Sequence, residues 1–432
     1  MSNYFYNPTV GIDVSADFSI VSILAPNGDI YRKAFKIKYD VDGFNHLVKE
    51  IKKVEKEFDM KTGIFMESTG VYHLFLFHFL KTNNLEAFVI NPLVTNSNKN
   101  KNIRKVKNDK KDALAMAKIG KFKNIKASSY FDVSIFTLKS LCRDYYKLVD
   151  TRLTFKKKLS SDLRVVFPGY NGVFSDITGA TSLAILKCYP THQSILDTPR
   201  EDIVKILRES SKKNLIWCNT TYDKLIKAAS NAKEIAISSI GLSTKIIINI
   251  GTIENFNKQI ELILKEIENV LYSNDVSAKF KQNILLLMSI PGVGFISAVT
   301  ILTEIGDFQG FLKPKQLVAY FGVDPSVNES GKFKSDKDKI SKRGTPFGRR
   351  ALYAIALASI RTKRTGEANN KILLDYYKNN LNGKKKKVAL VAIMHKLINY
   401  IFAVLRDQKE YEQRLPKIHH KIYLENSNNS AA

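Results

Sequence analysis

A carboxylate inside an apolar strand near the N-terminus constrains this chain more than any other single feature. Residues Thr9 to Val14 and Phe18 to Leu24 are rich in β-branched and apolar side chains, which predicts two strands of a hairpin. Asp13 interrupts the first strand where a buried side chain is expected. An unpaired buried carboxylate is costly or stays protonated. Asp13 therefore either binds a metal or caps the turn at Ser15 to Asp17.

The segments that follow predict an α/β domain. They are a strand at Ile30 to Ile37, a helix at Val41 to Phe58, a buried strand at Thr62 to Met66 that ends in Glu67, a helix through Leu80 and a strand at Leu85 to Ile90. With a helix that starts near Asn108, after a basic segment at Lys99 to Lys107, the order is βββαβαβα. This order is typical of the ribonuclease-H-like fold.

Two more acidic residues begin that last helix. Asp109 and Asp112 follow Asn108, a good N-cap residue, and a spacing of three residues places them on one helix face. Acidic residues in a first turn also complement the helix dipole, so this pair alone is compatible with a purely structural role. Together with Asp13 and Glu67 they form four oxygen ligands of the kind that hold Mg²⁺ in two-metal phosphoryl-transfer sites, with Mn²⁺ as the alternative ion.

The composition indicates a polyanionic partner. The chain of 432 residues carries 68 Lys and Arg against 41 Asp and Glu, a net charge of +27, which favours nucleic acid as the partner. Its length suggests two to four domains. Three cysteines without paired spacing fit a reducing cytosol. Because no uncharged apolar run reaches about 18 residues, we expect a cytoplasmic, nucleoid-associated protein with no membrane partner.

The middle of the chain is predicted to be helical. One long helix is expected from Phe131 to Val166 and a second from about Thr244 to Tyr272, with mixed short helices and loops in between. The apolar residues of the second helix follow an unbroken heptad if Asn257 occupies one core position. The heptad predicts either a coiled coil that joins subunits through facing Asn257 side chains or a helix packed on its own domain.

The third region is predicted to bind nucleic acid. Two apolar helices flank the sequence PGVG, residues 291 to 294, as in a helix–hairpin–helix turn whose glycines let backbone N–H groups approach phosphate. A basic run then leads into an apolar helix at Ala351 to Ile360. Although a run of charges is usually a solvated face, this position favours phosphate docking. The predicted nucleic-acid contacts are Gly292, Gly294, Lys332, Lys334, Lys339, Lys342, Arg343, Arg349 and Arg350.

Motifs in both terminal regions resemble those of IS110-family transposases. The sequences GIDVS, MESTGVYH and KNDKKDA, which contain the four carboxylates, resemble the RuvC-like DEDD domain of that family. The sequences SIPGVGFISAVTILTEIGDF, FGVDPSVNESG and ISKRGTPFGRRALY resemble its C-terminal transposase domain. The chain has Asn108 where the family usually has Thr, and Asn caps a helix equally well.

The resemblance implies a site-specific DNA recombinase that moves its own insertion sequence. It implies that Ser330 is the nucleophile, beside Gly331, which permits close backbone approach to a phosphate. The residues alone do not separate Ser330 from Ser326, Ser335 and Ser341, since a serine hydroxyl is weak until a base or metal activates it. The implied partners are DNA at the element ends and target, an element-encoded guide RNA, and further copies of the chain in a dimer or tetramer.

Two alternatives remain open from the sequence. One is a metal-dependent Holliday-junction resolvase or structure-selective nuclease with water as nucleophile; the other is a non-catalytic nucleic-acid-binding protein whose carboxylates are only caps. The expected organisation is a RuvC-like domain, a helical or coiled-coil oligomerisation region, a mostly helical transposase domain with a helix–hairpin–helix-like motif, and a peripheral tail, at residues 1–128, 129–275, 276–407 and 408–432.

Overall fold

The computed structural model describes most of the chain and divides it into two compact units, Met1–Asp132 and Val133–Ala432. The described residues are 2–67, 72–90, 109–123, 132–237, 240–326, 329–330, 333–334, 339–414 and 418. The predicted α/β domain falls in the first unit. The second unit contains both the predicted helical middle and the predicted C-terminal domain.

The first unit is a mixed five-stranded sheet with helices. Its strands are β1 (Thr9–Val14), β2 (Phe18–Leu24), β3 (Ile30–Lys38), β4 (Gly63–Glu67) and β5 (Glu86–Ile90). Its helices are α1 (Val41–Phe58), α2 (His73–Thr82) and α3 (Asp109–Phe122). The order across the sheet is β3-β2-β1-β4-β5, with β2 antiparallel to its neighbours and β4 parallel to both β1 and β5. The predicted order of elements is confirmed and is consistent with a RuvC-like domain.

The two faces of β1 have different neighbours because alternate residues of a strand point to opposite sides. Val10, Ile12 and Val14 are buried in the core that also contains residues of α1 and α2. Thr9, Gly11 and Asp13 occupy the other face. The predicted cap Asn108 and the basic segment before it lie outside the described residues.

The second unit is helical. Its helices are α4 (Val133–Val166), α5 (Ala180–Cys188), α6 (His192–Leu196), α7 (Arg200–Ser211), α8 (Leu215–Ile235), α9 (Ile240–Tyr272), α10 (Ala278–Met288), α11 (Phe295–Ile305), α12 (Pro314–Phe321), α13 (Pro346–Ser359), α14 (Lys371–Asn380) and α15 (Lys386–Asp407). Two short 3₁₀ helices lie at Tyr170–Gly172 and Phe308–Gly310, and two short strands are β6 (Glu329–Ser330) and β7 (Phe333–Lys334).

Helices α4 and α9 pack against each other as an antiparallel pair. Leu138, near the start of α4, shares a core with Leu271 at the end of α9, and Leu163, near the end of α4, shares a core with Ile246. Asn257 Oδ1 accepts a hydrogen bond from Arg152 at 2.7 Å. The structure therefore shows the second interpretation of the heptad, a helix packed on its own unit. A coiled coil between subunits stays a prediction.

The core of the C-terminal part is built on α11 and α15. Every residue of α11 from Ser297 to Ile305 is buried. Helix α15 is long and apolar enough to cross a membrane, but much of it is buried within the protein, where residues such as Leu397 belong to the hydrophobic core. Core helices pass the same length and composition test, so α15 gives weak support to a membrane span.

Candidate active site

Asp13 and Glu67 lie at the ends of neighbouring parallel strands. The register pairs Ile12 with Met66, so the next residue of each strand, Asp13 and Glu67, lies at the same level of the sheet. Both side chains are partly buried. The sheet thus places two carboxylates side by side at the carboxyl edge of β1 and β4.

Helix α3 runs antiparallel along the same face of β1. Thr9 Oγ1 donates to the Ala117 carbonyl at 3.3 Å. Two residues later, a Cβ added to Gly11 would lie 2.1 Å from the Ala113 carbonyl oxygen, so only glycine permits this contact. One step along this face of β1 therefore corresponds to about one turn back along α3.

This packing aims the first turn of α3 at the carboxyl edge of the sheet. Asp13 is the next residue of β1 on that face, and the turn of α3 before Ala113 carries Asp109 and Asp112. Helix α3 also packs on the neighbouring strand β4, since a Cβ on Gly120 of α3 would lie 2.1 Å from the ring of Phe65. Glu67 follows Phe65 on the same face of β4. The fold therefore places Asp13 and Glu67 side by side at one edge of this face, and Asp109 and Asp112 in the first turn of the helix that packs on it. A site shared by all four carboxylates stays a prediction.

The donor set suits a hard divalent cation, since carboxylate oxygens are the ligands that Mg²⁺ prefers. Within the part of the chain that the structure describes, no three His, Cys, Asp or Glu residues are grouped closely enough to hold a metal ion. The four carboxylates thus suit a metal site in chemistry, and the described residues among them are not assembled into one.

Tyr39 supports the turn that follows Asp13. Its hydroxyl donates to the Ser15 and Phe18 carbonyls, with oxygen–oxygen distances of 2.7 and 2.9 Å. Burial raises the pKa of Tyr39, and the charge of Asp13 raises it further, so the hydroxyl stays protonated at neutral pH. No sequence pattern indicated Tyr39, because its contacts depend on how β3 pairs with β2.

Ser330 lies in a small hairpin of the second unit. In the β6–β7 ladder it pairs with Phe333. The turn residues Gly331 and Lys332 lie outside the described residues, and the position of the Ser330 side chain is not among the described features. Residues 324–341, which include β6 and β7, are called the serine hairpin below.

Two of the serines near Ser330 in the sequence have structural roles at the base of the serine hairpin. Ser326 Oγ donates to the Lys339 carbonyl at 2.7 Å, and Ser341 Oγ donates to Asp324 Oδ1 at 2.5 Å. Both hydroxyls therefore hold the two sides of the base together. Ser335 lies outside the described residues.

The two glycines of the predicted helix–hairpin–helix turn differ. Gly292 has φ +100°, and a Cβ there would lie 2.4 Å from Ser359 Oγ, which itself donates to the Pro291 carbonyl at 3.0 Å. Gly294 caps α11, and among the described residues no atom beyond its chain neighbours lies within 4 Å of where its Cβ would be. Gly292 thus serves internal packing. A phosphate contact at either glycine stays a prediction.

The predicted basic contacts fall into three groups: exposed residues, residues whose side chains are not described, and residues bonded within the chain. Lys339, Lys342 and Arg343 are exposed. Lys332 lies outside the described residues, and for Lys334 only the backbone in β7 is described. These residues remain predicted phosphate ligands.

Arg349 and Arg350 make contacts within the chain. Arg349 Nη1 donates to the carbonyls of Phe321 and Gly344 at 3.1 and 2.6 Å. Arg350 Nη1 donates to Asp150 Oδ2 at 2.5 Å and lies over the Tyr146 ring, which ties α13 to α4. Neither contact was visible in the sequence, where both arginines belong to one basic run.

Comparison with known proteins agrees with this architecture. A family model for the IS110-type DEDD transposase matches residues 10–168, and a model described as "Transposase IS116/IS110/IS902 family" matches residues 285–371. A mixed sheet with two carboxylates at one edge, followed by a helical C-terminal unit, is consistent with a RuvC-like α/β domain plus a helical region. The chain belongs to the IS110 family of transposases.

Individual relatives match over shorter stretches. The chain is 31% identical over 130 residues to a pilin gene-inverting protein of Moraxella bovis, covering 30% of this chain and 39% of the relative. It is 31% identical over 134 residues to the transposase for insertion sequence element IS1111A of Coxiella burnetii, covering 31% and 36%. It is 28% identical over 131 residues to an insertion element IS110 protein of Streptomyces coelicolor, covering 30% and 31%. The matches span about a third of each relative's length.

Proposed function

We propose that the chain is the DNA transposase of an insertion sequence, a site-specific recombinase that cuts and rejoins DNA. The observation that supports this proposal is the alignment of Asp13 and Glu67 at the ends of paired strands, with Asp109 and Asp112 in the first turn of the helix that packs on the same face. Carboxylates in such a set can hold the divalent metal ions that assist phosphoryl transfer. The likeness to a pilin gene-inverting protein supports rejoining as well as cutting, because inversion requires both.

In the proposed reaction, Ser330 Oγ attacks the phosphorus of the target phosphodiester. A bond from Oγ to phosphorus forms as the hydroxyl proton is lost to solvent, the bond to one DNA oxygen breaks, and that oxygen takes up a proton from solvent to become a free hydroxyl end. Mg²⁺, or Mn²⁺ in its place, when bound by the four carboxylates would neutralise negative charge on the phosphate. The phosphoserine link keeps the bond energy, so a DNA hydroxyl reverses the step and rejoins the strands.

The proposed partners follow from family and charge. DNA at the element ends and at the target is the substrate, and a guide RNA encoded by the element would add sequence specificity. The net charge of +27 suits both polyanions. We propose a homo-oligomer as the working form, since recombination joins more than one DNA end.

A denaturing gel tests the serine. Wild-type protein incubated with element-end DNA and Mg²⁺ is expected to give a retarded protein–DNA band that Ser330→Ala loses. Ser326→Ala is the comparison: its hydroxyl bonds across the base of the serine hairpin, so this variant should form the band more slowly but still form it. Cleavage that persists in Ser330→Ala, with ends free of protein, would instead support the water-dependent nuclease or resolvase.

Substitution of the carboxylates separates an enzyme from a binding protein. Asp13→Ala and Asp112→Ala should each abolish cleavage and leave DNA affinity intact. The double variant should be no worse than either single one, as expected for groups that act as one unit. Full activity in excess EDTA, or loss of folding in the single variants, would contradict the metal assignment.

A further inference from the structure

The chain segment that enters the serine hairpin and the segment that leaves it are in direct backbone contact, at glycines that have no side chain to separate them. Gly322 ends α12 with φ +65°, and a Cβ there would lie 2.6 Å from the Arg343 amide nitrogen. A Cβ on Gly344 would lie 1.8 Å from the Tyr320 carbonyl oxygen. Side chains at these two glycines would force the segments apart, so the base of the hairpin depends on this close approach.

Arg349 bridges these same two segments. Its Nη1 donates to the Phe321 carbonyl at 3.1 Å, on the segment that enters the hairpin, and to the Gly344 carbonyl at 2.6 Å, on the segment that leaves it. The side chain is partly buried, and burial lowers the pKa of the guanidinium. Arg349 is therefore turned inward, toward carbonyl oxygens of the protein.

Backbone hydrogen bonds continue from this bridge toward Ser330. The Lys342 amide donates to the Gly322 carbonyl at 2.9 Å, and the Ser341 amide donates to the Asp324 carbonyl at 2.8 Å. The Ser326 amide then donates to the Lys339 carbonyl at 2.6 Å. Each of these hydrogen bonds fixes the distance between the two sides of the hairpin. The last of them, at Ser326, lies four residues before Ser330 in the chain.

We propose that Arg349 is a positioning residue, which clamps the base of the serine hairpin and so fixes the placement of Ser330, and that it does not serve as a phosphate ligand. This inference rests on the proposed role of Ser330 as nucleophile. The basic run in the sequence suggested that Arg349 binds phosphate. Its hydrogen bonds to the carbonyls of Phe321 and Gly344 indicate a structural role instead.

The substitution Arg349→Lys separates the two roles. Lysine keeps the positive charge, so a contact with phosphate would largely survive. Both carbonyl contacts are made by one nitrogen, Nη1, and the shorter lysine side chain does not bring its ammonium group to that position. Arg364→Lys, at an exposed arginine of the same unit, is the matched control.

Three measurements are made on each full-length variant. They are hydrogen exchange at the amides of Ser326, Ser341 and Lys342, the salt dependence of DNA affinity, and the rate of protein–DNA adduct formation at saturating DNA. For Arg349→Lys we expect exchange at these amides to rise and adduct formation to slow, each by roughly ten- to a hundred-fold, the effect of losing hydrogen bonds from a charged donor. The salt dependence should stay unchanged, and Arg364→Lys should match wild type in all three.

Several outcomes would overturn the inference. Unchanged exchange at the base shows that Arg349 is not a clamp, and increased exchange with an unchanged adduct rate shows that the clamp does not position Ser330. Unchanged exchange together with an unchanged adduct rate is the result expected of a phosphate ligand, because lysine keeps the positive charge. If wild-type protein forms no adduct through Ser330, the proposed function fails first and the positioning role fails with it.

A second variant covers the case in which Arg349→Lys does not fold. Ser341→Ala removes the hydrogen bond to Asp324 at the same base and leaves Arg349 in place. It should raise exchange at the base and slow adduct formation in the same direction. An unchanged adduct rate in a folded Ser341→Ala with a loosened base would overturn the proposal equally.

Discussion

Asn257 and Arg152 show how a single contact changes the expected effect of a substitution. The Asn257 amide oxygen accepts from the Arg152 guanidinium at 2.7 Å, between α9 and α4 of one chain. Asn257→Leu would leave this partly buried cation without its acceptor, so we expect a loss of about 1–3 kcal/mol in the free energy of unfolding. Denaturant titration measures it. Asn257→Asp, which keeps an acceptor, is the control, and a stabilised Asn257→Leu would indicate that Asn257 faces another subunit.

Glu304 should make the second unit sensitive to acid. Its carboxylate is 2% exposed and accepts from Arg143 Nε at 2.7 Å, with Lys139 Nζ at 3.5 Å. Burial alone would raise the pKa of Glu304, but the hydrogen bonds from Arg143 and the charges of Lys139 and Arg143 outweigh it and lower the pKa. A lowered pKa stabilises the fold above the pKa of the unfolded chain, and this contribution is lost as the pH falls through the folded value.

Glu304→Gln tests this ion pair. At neutral pH we expect it to lower the free energy of unfolding by about 1–3 kcal/mol, because two partly exposed cations, Lys139 and Arg143, lose their counter-charge while the amide oxygen still accepts a hydrogen bond. The variant should also lose the part of the acid dependence that Glu304 contributes, so the two unfolding curves should converge at low pH. A constant difference between the curves across the acidic range would show that Glu304 is not the titrating group.

At the scale of elements, the packing of α3 on β1 decides whether the carboxylates meet. Gly11→Ala would place a methyl group 2.1 Å from the Ala113 carbonyl oxygen and push the helix off the strand. We expect a loss of about 1–3 kcal/mol or more in stability, together with loss of cleavage. Gly251→Ala, in α9 with no atom within 4 Å of the new methyl, should instead gain about 1 kcal/mol. Equal stability of the two variants in thermal unfolding would contradict this packing.

The sequence predicted elements better than contacts, for a physical reason. The strand at Thr9–Val14 and the helix at Val41–Phe58 were predicted with the bounds observed, because periodicity and capping are local. The bridge from Arg349 to Gly344 and the partner of Asn257 depend on how distant segments dock, which spacing does not encode. The pair Asp13 and Glu67 lies between these two cases. The sequence motifs predicted both residues, but only the pairing of β1 with β4 shows that they lie at the same level of the sheet.

At the scale of the whole molecule, the excess positive charge should appear as a steep salt dependence of nucleic-acid binding. If Z phosphates are neutralised, the slope of log K against log salt is about −0.9Z for duplex DNA. We expect Z of at least about 5, since the chain carries a net charge of +27. A slope shallower than about −2 would show that the clustered charge is not a binding surface.

The exposed basic residues at the foot of the serine hairpin should account for part of that slope. Lys339, Lys342 and Arg343 are exposed, whereas Arg349 and Arg350 are engaged within the chain. Replacing the first three with Gln should reduce the slope by about 2.7 if each contacts one phosphate. The control replaces three exposed lysines on and before α8 with Gln, namely Lys213, Lys224 and Lys227. Equal reductions in both variants would mean that binding follows the diffuse charge of the molecule, whereas a reduction confined to the first places DNA against the hairpin that carries Ser330.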